Sequence, residues 1–309
     1  MEFNFQTKIV DTFSNPIFTA SGCAGSGKEL SQFFDLRELG AIVTKSIMLK
    51  PRSGRATPRM AETPSGMLNS IGLQGPGIDI FLEDDIPWLR DRGVPIIASI
   101  AGETVEDYAV LARRLRSVPG VVGLEVNISC PNVENRGMVF SCSPVTAQAA
   151  IDAVRRNIGG ELPIIAKLTP DVTDIVEIAS AVKESGADGV ALINTVLGMV
   201  IDTESMVPKL AGKTGGLSGP AIRPIAVRAI YQVRAALPNL PIVGMGGVSS
   251  GRDAFELVLA GANAISIGTA NFRDPKAPLR IKNELQNILI SKGFDSFSKA
   301  SGFAHREGV

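Results

Sequence analysis

The stretch PIIAKLTPDVTDIVEIASAVKESGADGVALIN, residues 163–194, contains one complete strand–helix–strand unit. It begins with the apolar run PIIAKL (163–168), continues with helical spacing over 172–186 and ends in a second apolar run, GVALIN (189–194). The glycine in ESGAD (184–188) is typical of a helix end. Two apolar runs joined through a helix predict parallel strands that are buried on both faces.

The same unit recurs along the chain. Six further apolar runs bring the predicted strands to eight: PIFTASG (16–22), AIVTKS (41–46), PIIASI (95–100), VGLEVN (122–127), PIVGMG (241–246) and AISIGT (264–269). Helical spacing separates several of them, over 103–118, 144–158 and 219–237. This alternation predicts an α/β protein, a single (β/α)8 TIM barrel over residues 1–309. An open doubly wound sheet is the alternative, and the lack of GxGxxG after the first strand disfavours it.

The remaining segments predict what surrounds the barrel. FNFQTKIVDTFSNP (3–16) alternates and then breaks at Asn15–Pro16, which predicts an N-terminal β-hairpin that closes the barrel bottom. Three connections, 47–77, 128–143 and 195–218, are too long for simple loops and follow the carboxyl ends of strands. Barrel enzymes hold their active sites at that face, and long structureless connections are usually functional. We therefore expect long loops around a site at the C-terminal face.

Composition excludes several classes of protein. The chain has 31 basic and 31 acidic residues, so its charge predicts no attraction to nucleic acid or to a membrane surface. Three cysteines in 309 residues make no disulfide framework and indicate thiols in the cytoplasm. No signal peptide and no membrane-spanning run is predicted. One histidine and scattered cysteines predict no metal site.

Polar residues mark the ends of the middle strands. Lys45 and Asn194 end the second and sixth predicted strands, Asn127 ends the fourth, and Lys167 lies in the fifth. A lysine inside an apolar strand is costly unless it is paired or faces a polar site. Two lysines at one barrel mouth suit an anionic ligand or a group that becomes anionic during reaction. The neighbouring asparagines offer donors and acceptors that suit an amide-like heterocycle.

Glycines mark the last two strands. GMGGV (244–248) and SIGTA (266–270) place glycines at the carboxyl ends of the seventh and eighth strands, and GGLSGPA (215–221) adds a glycine-rich turn before a helix. Backbone amides at these strand ends form the usual phosphate site of a barrel. The pattern predicts a bound phosphate, which belongs either to FMN or to a sugar-phosphate substrate.

A cysteine lies in the second long connection. NISCPN (127–132) places Cys130 just past a strand end, and a positioned cysteine serves as a nucleophile or as a general base. A cysteine nucleophile normally works with a histidine, and the only histidine, His305, is near the C-terminus, which favours the base. Cys23 is predicted either to line the pocket or to pack, and Cys142 is interpreted as incidental.

These motifs together resemble a known family. NISCPN, TASG (19–22), TKS (44–46), NSIGLQGPG (69–77), INT (193–195), TGGLSGPAIRPIA (214–226), GMGG (244–247) and IGTA (267–270) resemble the class 1 dihydroorotate dehydrogenases, over residues 5–290. Class 2 members have an N-terminal membrane-associating extension and a serine base. The run from INT to GGLSGPAI is similar to class 1B. Class 1B implies a homodimer within a heterotetramer, with a second subunit that carries FAD and a [2Fe–2S] cluster and passes electrons to NAD.

The resemblance implies a role for each motif. Cys130 would remove a proton from C5 of dihydroorotate, and the hydride on C6 would pass to N5 of FMN. Lys45 would contact both the flavin and the substrate, and Lys167 would stabilise the reduced flavin near its N1 and O2 atoms. The pyrimidine would be held by Asn69, Ser70, Ile71, Gly72, Leu73, Asn127, Asn194 and Thr195. The flavin would be bound by Ser21, Ser46, Ser99, Asn127 and Ile193, with Gly219, Gly246, Gly247, Gly268 and Thr269 around its ribityl phosphate.

One departure and several alternatives remain. The family often has asparagine where this chain has Gly75, which removes a polar side chain near the substrate loop. A class 1A enzyme that uses fumarate would perform the same chemistry without a partner subunit. A dihydropyrimidine dehydrogenase domain shares the cysteine and the flavin but belongs to much longer chains. A non-redox sugar-phosphate barrel would use the glycine motifs without flavin, and a barrel with a purely structural role is the last alternative.

The loop 130–143 is expected to act as a lid.

Overall fold

The computed structural model describes residues 4, 13, 15–129, 140–158, 160 and 162–306. Within these residues the strands are β1 Ile17–Thr19, β2 Ile42–Val43, β3 Met60–Thr63, β4 Gly66–Asn69, β5 Ile96–Ile100, β6 Val121–Asn127, β7 Ile164–Lys167, β8 Gly189–Leu192, β9 Val196–Met199, β10 Ile201–Asp202, β11 Val207–Pro208, β12 Thr214–Ser218, β13 Ile242–Gly244 and β14 Ala264–Ile267. The α-helices are α1 Ile78–Ile80, α2 Ile86–Arg90, α3 Val105–Leu115, α4 Pro144–Ile158, α5 Ile175–Glu184, α6 Arg223–Ala236, α7 Gly251–Ala260, α8 Ala270–Arg273, α9 Ala277–Ser291 and α10 Phe297–Ala300. A π-helical turn, Phe81–Asp85, joins α1 to α2.

Eight parallel strands form a barrel, in the order β1-β14-β13-β8-β7-β6-β5-β2. A parallel bridge between Phe18 and Ala41 joins the strands at the two ends of this order. Around the barrel, α3, α4, α5, α6 and α7 pack side by side in chain order, and α9 packs on α7. The predicted (β/α)8 barrel is therefore confirmed.

Helix α3 shows why these segments are helical. Thr104 accepts a hydrogen bond from the backbone N–H of Asp107, and the Asp107 carboxylate accepts one from the backbone N–H of Thr104. This capping box fixes the first turn. Tyr108, Leu111 and Leu115 recur at helical spacing and are buried against the barrel. The helix thus begins at a polar cap and is held by one apolar face.

The barrel interior changes from apolar to polar towards the carboxyl ends of the strands. The lower layer is an apolar cluster that contains Phe13, Phe18, Val43, Ile97, Ile165, Ala191, Val243 and Ala264. Because side chains alternate along a strand, the residues two positions further on also face inward. On three strands these are Ser99, Lys167 and Ser266, all of them buried. The polar residues of the interior therefore lie at the end where barrel enzymes bind ligands.

Most strands are shorter than their apolar runs. Strand β2 ends at Val43 and β8 at Leu192, so Lys45 and Asn194 follow their strands by two residues instead of ending them. The prediction for these two positions was wrong in detail, because an apolar run continues into the buried loop that follows a strand. Asn127 and Lys167 are the last residues of β6 and β7.

The two long connections at 47–77 and 195–218 contain regular structure, which the sequence patterns missed. Strands β3, β4, β12 and β9 form an antiparallel sheet in that order, and β10 pairs with β11. The predicted glycine-rich turn at 215–221 is partly wrong, because 214–218 is the strand β12. A Cβ at Gly216 would lie 2.0 Å from Thr195 Oγ1, and one at Gly215 would lie 2.6 Å from the Asn69 carbonyl oxygen. The glycines allow β12 to pack between its neighbours.

Two further predictions, the N-terminal hairpin and the lack of a membrane-spanning run, can be compared with the described residues only. The N-terminal hairpin falls mostly outside the described residues, although Phe13 packs on Phe18 with ring centroids 4.8 Å apart. In the described part of the chain, none of the helices is long and apolar enough to cross a membrane.

Candidate active site

A cavity of about 630 Å³ opens at the carboxyl ends of the barrel strands. Its floor is the upper interior layer of the barrel, with Lys167 and Ser266 among apolar side chains. The antiparallel sheet covers one side through the turn between β3 and β4. Ten of the predicted site residues line this cavity: Ser21, Lys167, Ile193, Asn194, Thr195, Gly219, Gly246, Gly247, Gly268 and Thr269. The volume is in the range of small-molecule and cofactor sites.

Glycine turns form one end of the cavity. Gly219, Gly246 and Gly247 have φ values of 90°, 116° and 75°, which L side chains rarely adopt. Within the described residues, the backbone N–H groups of Gly246, Gly247 and Gly268 have no backbone acceptor. Free amides at the ends of the last two strands are suited to bind a phosphate.

An ion pair supports these turns from behind. The Asp253 carboxylate accepts hydrogen bonds from the backbone N–H of Ser249 at 2.9 Å and from Ser249 Oγ at 2.7 Å. Its other oxygen is bound by the Arg223 guanidinium, and a Cβ at Gly247 would lie 2.6 Å from Arg223 Cβ. Arg223 and Asp253 therefore hold Gly247–Ser249 against the start of α6 and α7.

Replacing Asp253 by asparagine should lower the free energy of unfolding at neutral pH. In acid the variant and the wild type should become more nearly equal in stability. Burial alone would raise the pKa of Asp253, but hydrogen bonds from Ser249 and Ser250 and the charge of Arg223 hold it below its ordinary value. A carboxyl whose pKa is lower in the folded state stabilises the protein above its unfolded pKa, about 3.9. That contribution is lost as the pH falls through the folded pKa. Loss of charged hydrogen bonds predicts about 1.5–3 kcal/mol at pH 7.

Urea unfolding at pH 7 and at several pH values below 4 measures both effects. The matched control is Glu256→Gln, which removes the other, half-exposed carboxylate that Arg223 contacts, at 2.9 Å. The control should lose less stability, because exposed ion pairs contribute about 0–1 kcal/mol. A difference between wild type and Asp253→Asn that stays constant as the pH falls would contradict the assigned role.

A chain of buried hydrogen bonds crosses the polar layer of the barrel. Ser21 Oγ lies 3.2 Å from Ser46 Oγ, and Ser46 Oγ lies 3.0 Å from Ser99 Oγ. Ser99 donates to Glu125 Oε1 at 2.9 Å, and Glu125 forms an ion pair with Lys167 at 3.6 Å. The predicted residues Ser46 and Ser99 thus lie behind the cavity lining and are linked to it through Ser21 and Lys167.

The asparagines form a second branch of the same network. Asn127 Nδ2 donates to Ser46 Oγ at 3.1 Å, and Ser129 Oγ donates to Asn127 Oδ1 at 2.9 Å. Asn194 Nδ2 donates to Ser129 Oγ at 2.6 Å and lies 3.4 Å from Asn127 Oδ1. The two predicted asparagines are therefore held together through Ser129, which the sequence patterns did not single out.

The predicted substrate loop, residues 69–73, leaves β4 at the covered side of the site. Asn69 Nδ2 donates to the Gly216 carbonyl at 3.2 Å, and Ser70 Oγ accepts from Arg55 at 3.2 Å. Leu73 has φ 54° and lines a small cavity of about 30 Å³ with Lys45, Ser46 and Gly75. Ile71 and Gly72 connect these positions and accept hydrogen bonds at their carbonyls from Arg55 and Arg52.

The two predicted lysines both act on the charge of Cys23, in the turn after β1. A Cβ at Gly22 would lie 3.8 Å from Lys45 Nζ, which places this ammonium group next to the turn after β1. Burial raises the pKa of the Cys23 thiol above its ordinary value, and the charges of Lys167 and Lys45 oppose that rise. Cys23 lines the large cavity. Both lysines therefore approach the turn after β1, with Lys167 lining the large cavity and Lys45 the small one.

The predicted base, Cys130, lies outside the described residues, as does most of the expected lid. Cys142 is exposed, with Sγ 4.0 Å from the Asp171 carbonyl, and partial desolvation of the thiol, followed by the charge of Asp171, raises its pKa. In the described ranges, no group of three or more His, Cys, Asp and Glu side chains could hold a metal ion.

Several residues in or next to the cavity wall were missed by sequence reasoning. Glu125 lies in the run VGLEVN, and a lone acid in an apolar strand is the same sign that identified Lys167. The turn Thr63–Gly66 lines the cavity because β4 pairs with β12, whose residues are about 150 positions away. No local pattern encodes that pairing.

Comparisons with known proteins give one matching family model, several close relatives and a similar solved structure. A family model described as dihydroorotate dehydrogenase matches residues 5–289. A relative from Desulforudis audaxviator, named dihydroorotate dehydrogenase B (NAD(+)), catalytic subunit, is 49% identical over 297 residues, which cover 96% of each chain. A relative of the same name from Anoxybacillus flavithermus is also 49% identical, over 96% of this chain and 94% of that one. A crystal structure of DHODH in complex with ferulenol from Eimeria tenella has a TM-score of 0.81 at 24% identity, and covers 95% of this chain and 86% of that chain.

Proposed function

The chain belongs to the dihydroorotate dehydrogenase family, and we propose that it is the FMN-binding catalytic subunit of a class 1B enzyme. It is an oxidoreductase that oxidises (S)-dihydroorotate to orotate, a step of pyrimidine (UMP) synthesis. The observation that carries the proposal is the match to NAD-linked catalytic subunits along 96% of both chains. The cavity at the carboxyl ends of the strands provides the matching site.

The residues that line the cavity fit FMN. Members of this family depend on a flavin, and FMN combines a flat aromatic ring with a terminal phosphate. The free amides of Gly246, Gly247 and Gly268 suit the phosphate, and the apolar side chains of Ile193 and Met245 suit the ring. Lys167 and Ser266 offer polar groups on the floor between them. When bound, FMN supplies the acceptor for two electrons.

The protein side chains would position and deprotonate the substrate. We assign to Cys130 the removal of the proton at C5 of dihydroorotate. Cys130 follows β6 in the sequence, at the start of the long connection 128–143. Asn69, Asn127 and Asn194 offer donors and acceptors to the pyrimidine, and Lys45 offers a positive charge to its carboxylate. Ser70 to Leu73 and Thr195 complete the surrounding wall, and Thr195 Oγ1 packs against Gly216.

The names of the relatives support a choice of electron acceptor and a partner subunit. The relatives are named as NAD(+)-linked catalytic subunits, which supports NAD over fumarate and a separate partner subunit. We propose that the partner carries FAD and a [2Fe–2S] cluster, that this chain forms a homodimer within a heterotetramer, and that the complex is cytoplasmic. An assay with the purified complex that compares NAD and fumarate as acceptors tests this choice.

One spectrum tests the core of the proposal. The chain is purified alone, its visible absorption is recorded without oxygen, and dihydroorotate is then added. We expect a yellow protein that bleaches. A yellow protein that keeps its colour would retain the flavin barrel and reject this substrate. A protein that stays colourless after incubation with FMN would favour a sugar-phosphate barrel.

A further inference from the structure

Glu125 is a buried acid in the barrel interior that no step described above uses. It lies in the middle of β6 and is 2% exposed. Its Oε1 atom is 3.6 Å from Lys167 Nζ and accepts a hydrogen bond from Ser99 at 2.9 Å. A buried carboxylate is costly unless it is paired and hydrogen-bonded, and both conditions are met here.

Glu125 does not line the cavity, and the register places it between Ser99 of the polar layer and Ile165 of the apolar layer. Glu125 is opposite Ile165 of β7, and Lys167 is opposite Asn127, two residues nearer the carboxyl ends. Ile165 belongs to the apolar layer, whereas Lys167 lines the cavity. The ion pair therefore spans the boundary between the apolar core and the proposed flavin site, with the cation on the side of the site.

The carboxylate is also held in place. Ser99 bridges it to Ser46, and Ser46 is bound in turn by Asn127 Nδ2. Charges interact strongly in the low dielectric of a protein interior. A fixed anion at this distance therefore offsets much of the field of Lys167 at the cavity.

We propose that Glu125 is a positioning residue that orients Lys167 and balances its charge, and that it thereby lowers the reduction potential of the flavin. The proposal rests on the proposed function, because it requires a flavin in the cavity. A cation favours the more negatively charged redox state of a neighbouring group. Lys167 alone would therefore favour reduced flavin, and Glu125 limits this effect, so that electrons can leave for the next acceptor.

Three variants of the whole chain test the charge balance. In Glu125→Gln the positive charge is unopposed, and we expect the ratio of reduced to oxidised flavin at a fixed potential to rise at least tenfold. For a two-electron couple this is a shift of about +30 mV. In Lys167→Gln the anion is unopposed, and the ratio should fall at least tenfold. The ratio in the double variant should lie between those of the two single variants and nearer to wild type than either. The reason is that the double variant has the same net charge as the wild type.

The potentials are measured by anaerobic equilibration of each flavin-loaded protein with a reference dye. Glu125→Asp is the matched control, because it keeps the negative charge. Its ratio of reduced to oxidised flavin should lie within threefold of the wild-type ratio. If Glu125→Gln does not fold, the double variant replaces it, and its ratio should exceed that of Lys167→Gln at least tenfold.

The outcomes separate the two proposals. A wild-type protein that binds no flavin overturns the proposed function and this inference together. A flavin-loaded wild type with a Glu125→Gln potential that is unchanged or lower overturns the inference alone. The same holds if the double variant matches Lys167→Gln. Opposite shifts that cancel in the double variant support the charge balance, because a general loss of packing would not produce them.

Discussion

Replacing Gly247 by valine is expected to weaken FMN binding at least about 100-fold relative to wild type. Gly247 has φ 75°, a conformation that is an outlier for a β-branched residue. A Cβ there would lie 2.6 Å from Arg223 Cβ and 2.8 Å from the Arg223 backbone nitrogen, so the turn must move. Movement displaces the amides of Gly246 and Gly247, and each hydrogen bond to a charged group contributes about 1.5–3 kcal/mol. Two such bonds correspond to a factor of at least about 100.

The measurement is the flavin absorbance that remains after equilibration with FMN and dialysis, together with circular dichroism to verify folding. Gly160→Val is the matched control, because a Cβ at this exposed glycine meets nothing within 4 Å. The control should retain flavin. A folded Gly247→Val protein with wild-type flavin content would remove the phosphate assignment of these turns.

The barrel could be predicted because its information is local. Each strand is a short apolar run, and helix α4, Pro144–Ile158, was predicted with its observed bounds. The antiparallel sheet could not be predicted in this way. Strands β3 and β9 alternate only between half-buried and exposed residues, and β12 is rich in glycine. These strands exist because distant segments pair with one another, which no local window contains.

The sequence predicted many residues of the candidate site, but not the hydrogen bonds and ion pairs that link them. Lysines, asparagines and glycines at strand ends are visible in the sequence, and the structure brings them to one face of the barrel. Ser129 and Glu125 were missed as links because their importance depends on the partners they meet in space. The roles assigned to individual residues stay predictions until variants are measured.

The second large effect is expected at Cys130. The variant Cys130→Ser should keep its FMN but be reduced by dihydroorotate about 10²–10⁴-fold more slowly at pH 7, the usual contribution of a general base. A free thiol has a pKa of about 8.5, so a useful fraction ionises near neutrality, whereas a serine hydroxyl does not. Stopped-flow recording of flavin bleaching without oxygen measures the rate. In wild type the rate should rise with pH and level off once the thiol is ionised, whereas the serine variant should continue to rise.

Cys142→Ser is the matched control for this experiment. Cys142 is exposed and contacts only the Asp171 carbonyl among the described hydrogen bonds, so its loss should leave the bleaching rate unchanged. Equal rates in wild type and Cys130→Ser would show that another group removes the proton. Cys23, whose thiol lines the cavity beside two lysines, is then the next residue to test, because those charges favour its thiolate although burial opposes it. A slow Cys130→Ser variant beside a normal Cys142→Ser variant assigns the base to the loop after β6.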